Sequence, residues 1–306
     1  MIHKLSSQDN FLRSTLRVPI KNWLGTCQAL VKLCLLLFLC SCSHLFYQPL
    51  KGALIAPERF GVTPEEVWLE SKDGVKLHAW AIRAKYPKST LLLFHGNAEN
   101  MSTHFLNMLW IAEQGVDLLI FDYRGYGMSE GVPTQAGVYL DALTAMRWAH
   151  SDHLRRETKN LIFYGQSLGG QVMGRAVVDF EKSRDVDLLV FDSTFQSYKD
   201  VASRKFLTRW WLVPFYPLAR ILISDEYASE AVLSEIKTPT LVMHSPHDQV
   251  VDFKGGRELY QTLSAPKWWW KIKEGQHADA FHVSDGKYRR KFLELIDQKI
   301  RVKSSH

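Results

Sequence analysis

The sequence predicts an α/β domain, a mostly parallel sheet flanked by helices and carrying a short helical cap-like insertion. Three observations lead there. Short runs of branched and aromatic residues alternate with longer helical stretches through most of the chain. Those runs are continuously apolar, as strands covered on both faces must be. Finally, Gly165-Gln166-Ser167-Leu168-Gly169 joins one such run, Asn160–Tyr164, to a helix-like stretch, Gln171–Val178. A strand–turn–helix junction of that composition lifts a serine out of the sheet and exposes it.

Residues 1–48 read as a signal or membrane-anchor segment and residues 49–306 as the α/β domain. Lys4, Arg13, Arg17, Lys21 and Lys32 against Asp9 put most of the chain's +6 formal charge into the first segment and leave the body nearly neutral. The apolar run Leu33–Leu39 follows this basic stretch, the order of a secretory signal. It is short of the ~20 residues that span a bilayer. The wider window 29–47 reaches that length only by including Lys32 and His44, and Lys32 can snorkel to the interface. Leu39-Cys40-Ser41-Cys42 resembles a bacterial lipoprotein signal, in which cleavage precedes a cysteine that is then acylated; this makes Cys42 the candidate lipid attachment. Cys40 and the long leader depart from the usual form. Lipid anchoring and an uncleaved signal anchor both imply a membrane; a buried strand is the third alternative. Positive charge before the apolar run favours export of the body, to the periplasmic side.

Beyond residue 42 the chain has no cysteine, which excludes disulfides, thiolate metal sites and a cysteine nucleophile from the body. No dense Lys/Arg cluster marks a nucleic-acid face. Residues 50–64 read as an extended connector. Glu66–Glu70 and Val75–Ile82 alternate with period two around Asp73-Gly74, predicting an antiparallel hairpin at the sheet edge. Buried strands follow at Leu91–Phe94, Val116–Phe121, Leu161–Tyr164, Leu188–Phe191, Thr240–Met243 and Trp268–Ile272. Helices are expected at about 99–114, 134–150, 167–181, 253–263 and 287–300. The 196–236 stretch separates two strands by far more than a usual connection and includes the apolar runs Trp210–Leu218 and Ile221–Ile223. It reads as a cap over the site, a lipid-touching surface, or helices that only add packing.

A serine hydroxyl needs a base to take its proton and an acid to orient that base. On folds with this elbow the chain order is Ser, Asp or Glu, then His. Asp248 lies just after the strand Thr240–Met243, where ligands gather in open α/β sheets; it is the candidate acid, with Asp252 as rival. His277 follows a Gly-containing turn after the last strand; it is the candidate base, with His282 as rival. The oxyanion donors are expected from the Leu168 N–H at the helix start and from the Asn97 N–H in the loop after the Leu91–Phe94 strand, with the Ala98 N–H second. His95 precedes the nucleophile and reads as a structural loop residue. His244 and His247 share the Asp248 loop at a spacing that only weakly suggests zinc. No metal or other cofactor is expected. Asp122–Gly127 lacks both the Gly-Lys-Ser/Thr ending of a phosphate loop and the third Gly of a dinucleotide fingerprint.

Phe94–Asn100, Phe121–Gly131, Gly165–Gly170 and Phe191–Phe195 together resemble the Bem46-like α/β-hydrolases, a family described under serine aminopeptidase and esterase labels. The resemblance runs over about residues 50–300. It implies an α/β-hydrolase fold with Ser167 as nucleophile, Asp248 as acid, His277 as base, and Asn97 and Leu168 lining the oxyanion hole. Glu99 stands where the family usually has Gly, and a carboxylate there is expected to narrow the pocket or repel acidic substrates. The expected function is hydrolysis of an ester, thioester or amide in a small-molecule or acylated substrate. A peptidase, or a non-catalytic binding protein on the same fold, is the alternative.

Overall fold

The computed structural model describes residues 46–207, 210 and 213–304. Cys42 and the apolar run before it lie outside these residues. Among the described residues no helix is long and apolar enough to cross a membrane.

The strands are β1 (Gln48–Pro49), β2 (Glu65–Glu70), β3 (Lys76–Ile82), β4 (Ser89–Phe94), β5 (Ala98–Glu99), β6 (Val116–Phe121), β7 (Asn160–Gln166), β8 (Leu188–Asp192), β9 (Thr240–His244) and β10 (Lys267–Lys271). Eight of them build one sheet in the order β10-β9-β8-β7-β4-β6-β3-β2, while β1 and β5 pair separately. Pairing is parallel from β6 through β10. It is antiparallel where β3 meets β2 and β6. The expected edge hairpin is β2–β3; Glu70 opposes Lys76, and Gly74 turns the chain at φ +83.

Strands β4, β6, β7, β8 and β9 are buried along their whole length, which is why their sequences do not alternate. One face carries Leu91, Leu93, Ile120, Ile162 and Val190 into a core shared with Phe281 and Phe292. Each such side chain stabilises the fold by roughly 1.5–3 kcal/mol relative to exposure.

The helices are α1 (Met101–His104), α2 (Gln135–Arg155), α3 (Leu168–Ala176), α4 (Tyr198–Leu207), α5 (Tyr216–Leu222), α6 (Phe253–Thr262) and α7 (Lys287–Ser304). The single helix expected over 99–114 is instead one turn of α-helix followed by 3-10 turns at Phe105–Asn107 and Leu109–Gln114. Its buried side chains Phe105, Met108 and Ile111 recur every three residues, the period of the tighter helix. The helix expected over 167–181 starts one residue later and ends at Ala176, because Ser167 itself is not helical. The helix expected over 134–150 extends to Arg155. The insertion is helical: α4 and α5 with 3-10 turns at Val213–Phe215 and Leu233–Glu235. It exposes Leu207, Trp210, Val213 and Ile221. The stretch read as an extended connector contains a 3-10 turn, Pro57–Phe60, closed by Gly61 at φ +71.

Candidate active site

Ser167 sits where β7 turns into α3, at φ 53 and ψ −117. A non-glycine residue held there costs of order 1–3 kcal/mol, so the surroundings must enforce it. They do so through both peptide groups. The Ser167 N–H donates to the Asp192 carbonyl at 2.9 Å. Its own carbonyl accepts from the Gly170 N–H at 3.1 Å and from Thr194 Oγ1 at 2.5 Å. The flanking glycines answer to close approach: a Cβ on Gly169 would lie 2.0 Å from the Phe94 carbonyl oxygen, and one on Gly165 2.4 Å from the Gly170 Cα. Leu168 opens α3, so its N–H has no acceptor within the helix and is available to a ligand.

The end of β4 runs beside this elbow. A Cβ on Gly96 would stand 3.9 Å from Ser167 Cβ, which sets the loop bearing Asn97 against the serine. His95 is fully buried, with its ring 4.5 Å from Tyr123 and 5.2 Å from His104. Its Nδ1 faces the Gly96 carbonyl at 2.7 Å and donates to it. Because a trans peptide points its N–H opposite to its carbonyl, this bond aims the Asn97 N–H away from His95. His95, expected as a structural loop residue, is buried at the end of β4 and bonded within this loop.

Asp248 and His277 meet: His277 Nδ1 lies 2.8 Å from Asp248 Oδ2. A carboxylate accepts there, so Nδ1 carries the proton and Nε2 presents a lone pair. Asp248 Oδ1 accepts from the Val250 and Val251 N–H groups at 2.8 and 2.9 Å. Burial alone would push its pKa up. Hydrogen bonds from His244 and His277, the nearby His277 ring and the Val251 N–H outweigh it and hold the carboxyl well below the usual range.

No hydrogen bond joins Ser167 Oγ to His277 among the described residues, a contact that in unliganded sites is often long and tightens with substrate. The two loops are instead joined through their neighbours. Gln166 Nε2, one residue before the serine, donates to the Ala278 carbonyl, one residue after the histidine, at 3.1 Å. Ser193 Oγ accepts from the Ala278 N–H at 2.9 Å and donates to the buried Asp192, whose pKa burial pushes up. Ala278 and Ser193, like Ser167, adopt positive φ, so strain is concentrated on this spot.

The rivals are placed elsewhere. Asp252 caps α6, accepting from the Lys254 N–H at 2.6 Å, and pairs with Arg204. His282 faces Arg289 at 3.4 Å, and burial together with that charge lowers its pKa. His244 was read as a weak zinc candidate; its Nε2 instead lies 3.0 Å from the Val251 carbonyl and 3.2 Å from Asp248 Oδ2. Two acceptors on one nitrogen place its proton there, and it steadies the acid from the side opposite to donation by the backbone. Among the described residues no group of three or more His, Cys, Asp or Glu side chains is arranged around a metal position. Sequence reasoning missed His244, Gln166 and Ser193 as parts of the site. All three sit at the carboxyl ends of parallel strands, the one signal that could have found them.

Glu99 is exposed and sits at φ 63 in the β1–β5 pairing. That left-handed backbone explains why a glycine suits the position. Glu99→Gly is expected to raise stability by about 0.5–1 kcal/mol, the relieved left-handed cost less the added freedom of the unfolded chain. A thermal melt checks it: an unchanged or lower midpoint contradicts the strain argument.

A parallel sheet with a serine on a strained strand-to-helix turn, and an Asp–His pair at the ends of the strands beyond it, defines an α/β-hydrolase. Comparison with known proteins agrees. A family model described as serine aminopeptidase, S33, matches residues 85–232. YfhR of Salmonella typhi is 30% identical over 278 residues, covering 83% of this chain and 89% of that protein. Protein bem46 of Schizosaccharomyces pombe is 30% identical over 205 residues, covering 64% of each. The solved esterase Pf2001 of Pyrococcus furiosus shares the fold, with a TM-score of 0.64 at 19% identity over 83% of this chain and 98% of that one. The chain belongs to the Bem46-like family of α/β-hydrolases.

Proposed function

We propose that this hydrolase is a membrane-associated serine enzyme that cleaves an ester, thioester or amide through an acyl-enzyme. In this reading His277 Nε2 takes the proton of Ser167 Oγ as the oxygen attacks the carbonyl carbon. Asp248 stabilises the resulting imidazolium and holds its tautomer. The carbonyl oxygen gathers negative charge facing the Asn97 and Leu168 N–H groups. His277 returns the proton to the leaving group, and water repeats the sequence to release the acid and free Ser167.

The observation that carries the reading is the 2.8 Å Asp248–His277 bond on a loop gripped by the residue preceding Ser167. A fluorophosphonate probe tests it. Labelling of the native chain and none of Ser167→Ala is expected; equal labelling of both, or of neither, would favour a binding protein that kept the fold.

An aminopeptidase is a second reading, favoured by one feature. A cavity of about 660 Å³ lined in part by Asp248 also presents Asp200 and Glu258, carboxylates that suit a cationic amine, beside Asp252 already paired with Arg204. Hydrolysis of aminoacyl amides in preference to simple esters would select it.

Membrane attachment rests on the N-terminal segment and the apolar side chains exposed on the insertion. With Cys42 as the lipid site, Cys42→Ser is expected to lose radiolabelled fatty acid and to remain uncleaved. Unchanged processing and labelling would discard lipidation at that residue.

A further inference from the structure

Phe46–Gln48, the last residues of the segment read as an anchor, do not simply lead to the body. They are built into the loop that carries the candidate oxyanion donor. β1 lies parallel to β5, with Gln48 paired to Ala98 and Pro49 to Glu99. The Gln48 N–H donates to the Asn97 carbonyl at 3.0 Å, and the Leu50 N–H to the Glu99 carbonyl at 3.1 Å. Tyr126 Oη donates to the same Asn97 carbonyl at 2.7 Å. Asn100 Nδ2 closes the far end, donating to the carbonyls of Leu50 and Gly52 at 3.0 and 2.7 Å.

The peptide before Asn97 is held by His95, and the peptide after it by Gln48 and Tyr126. Asn97 is therefore clamped on both sides, and one of the clamps comes from outside the sheet. The same segment reaches the insertion: the Phe46 ring meets Tyr198 of α4 edge-on at 5.0 Å, and the Tyr47 and Tyr198 hydroxyls are 3.4 Å apart. Both Phe46 and Tyr47 are buried.

We infer that Phe46–Gly52 is a positioning strap for the oxyanion loop, so that acyl transfer depends on the stretch of chain joining the N-terminal segment to the body. The inference rests on the serine-hydrolase reading of the same site. Its physical basis is that oxyanion donors act through fixed direction: a donor free to swing must be reordered in each turnover, and the stabilisation falls accordingly. The ladder itself buries little, with Gln48 exposed and Pro49 half-buried, and the packing of this segment comes from Phe46 and Tyr47.

The test uses the full-length chain and an activated ester, p-nitrophenyl butyrate. Gln48→Pro removes the N–H that holds the Asn97 carbonyl, and Tyr126→Phe removes the second donor to the same oxygen while leaving the Gln48 N–H in place. Each variant is expected to lower kcat and kcat/KM together, by about tenfold or more for Gln48→Pro and about threefold or more for Tyr126→Phe, the pattern of a lost transition-state interaction. Melting midpoints should stay within a few degrees of the native chain, since a purely structural role would lower stability and leave turnover of the folded fraction intact. Native kinetics in both variants, or a rise in KM alone, overturns the strap while leaving the hydrolase reading standing. A native chain without Ser167-dependent turnover overturns both.

Discussion

Ser167→Ala is expected to reduce ester turnover by about 10⁴-fold or more, to the residual level supplied by binding and the oxyanion hole, when measured as kcat on an activated ester. The size follows from removing the attacking atom itself. A companion change separates chemistry from folding. Ser167→Gly also removes the hydroxyl, but it relieves a backbone held at φ 53 and ψ −117. Glycine tolerates that region, so the melting midpoint of Ser167→Gly should exceed that of Ser167→Ala, by the equivalent of about 1 kcal/mol. Retention of more than a tenth of native turnover in Ser167→Ala would remove the serine from the mechanism. Equal midpoints for Ala and Gly would remove the strain.

Asp248→Asn is the second large effect. The amide is nearly the same shape, but one of its two heads is a donor. It cannot accept from the Val250 and Val251 N–H groups on one side and from both His244 and His277 on the other. If the side-chain oxygen stays with the backbone donors, its NH₂ faces His277 Nδ1 and favours the tautomer with the proton on Nε2, the wrong one for a base. Turnover is expected to fall by about 10⁴-fold, the loss associated with that tautomer in serine hydrolases generally.

The same substitution has a signature in stability. The Asp248 carboxyl has a pKa in the folded chain below its unfolded value, which is near 3.9. Its ionised form therefore contributes stability that is fully present above that pH and is lost as pH falls through the unfolded value toward the depressed folded one. The native chain should lose stability toward Asp248→Asn as pH drops below about 4. Urea unfolding at pH 7 and pH 3 measures this: the gap between the two proteins should be wide at pH 7 and narrower at pH 3. A gap independent of pH would mean that Asp248 is not held ionised by its partners.

Much of the site is written in short-range patterns. The Gly-x-Ser-x-Gly junction is legible because its glycines answer to contacts within five residues and one neighbouring strand, as the 2.0 Å approach to the Phe94 carbonyl shows. The buried strands are legible because continuous apolar runs of this length fit strands covered on both faces. Helix limits were less so: the 99–114 stretch has helical composition, yet its i, i+3 burial against the sheet draws it into 3-10 turns, a preference set by packing.

Choosing Asp248 over Asp252 needed both the strand position and the fold. The two lie four residues apart and both look like turn or cap residues. Only the folded loop turns one toward His277 and leaves the other on the first turn of α6. His244 shows the same limit: it lies four residues before Asp248, and only the path of the folded loop brings its Nε2 to 3.2 Å from that carboxylate.

By itself the sequence determined the α/β class, the serine elbow and the order of the candidate acid and base along the chain. These depend on apolar periodicity and on steric demands that act between residues close in sequence. Tertiary structure alone decided which parts meet: Asp248 with His277, Gln166 with Ala278, and Gln48 with Asn97, pairs separated by 29, 112 and 49 positions in the chain. Hydrogen bonds of that kind are specified by the closing of the sheet and the paths of its loops, and no local pattern encodes where a distant carbonyl will point.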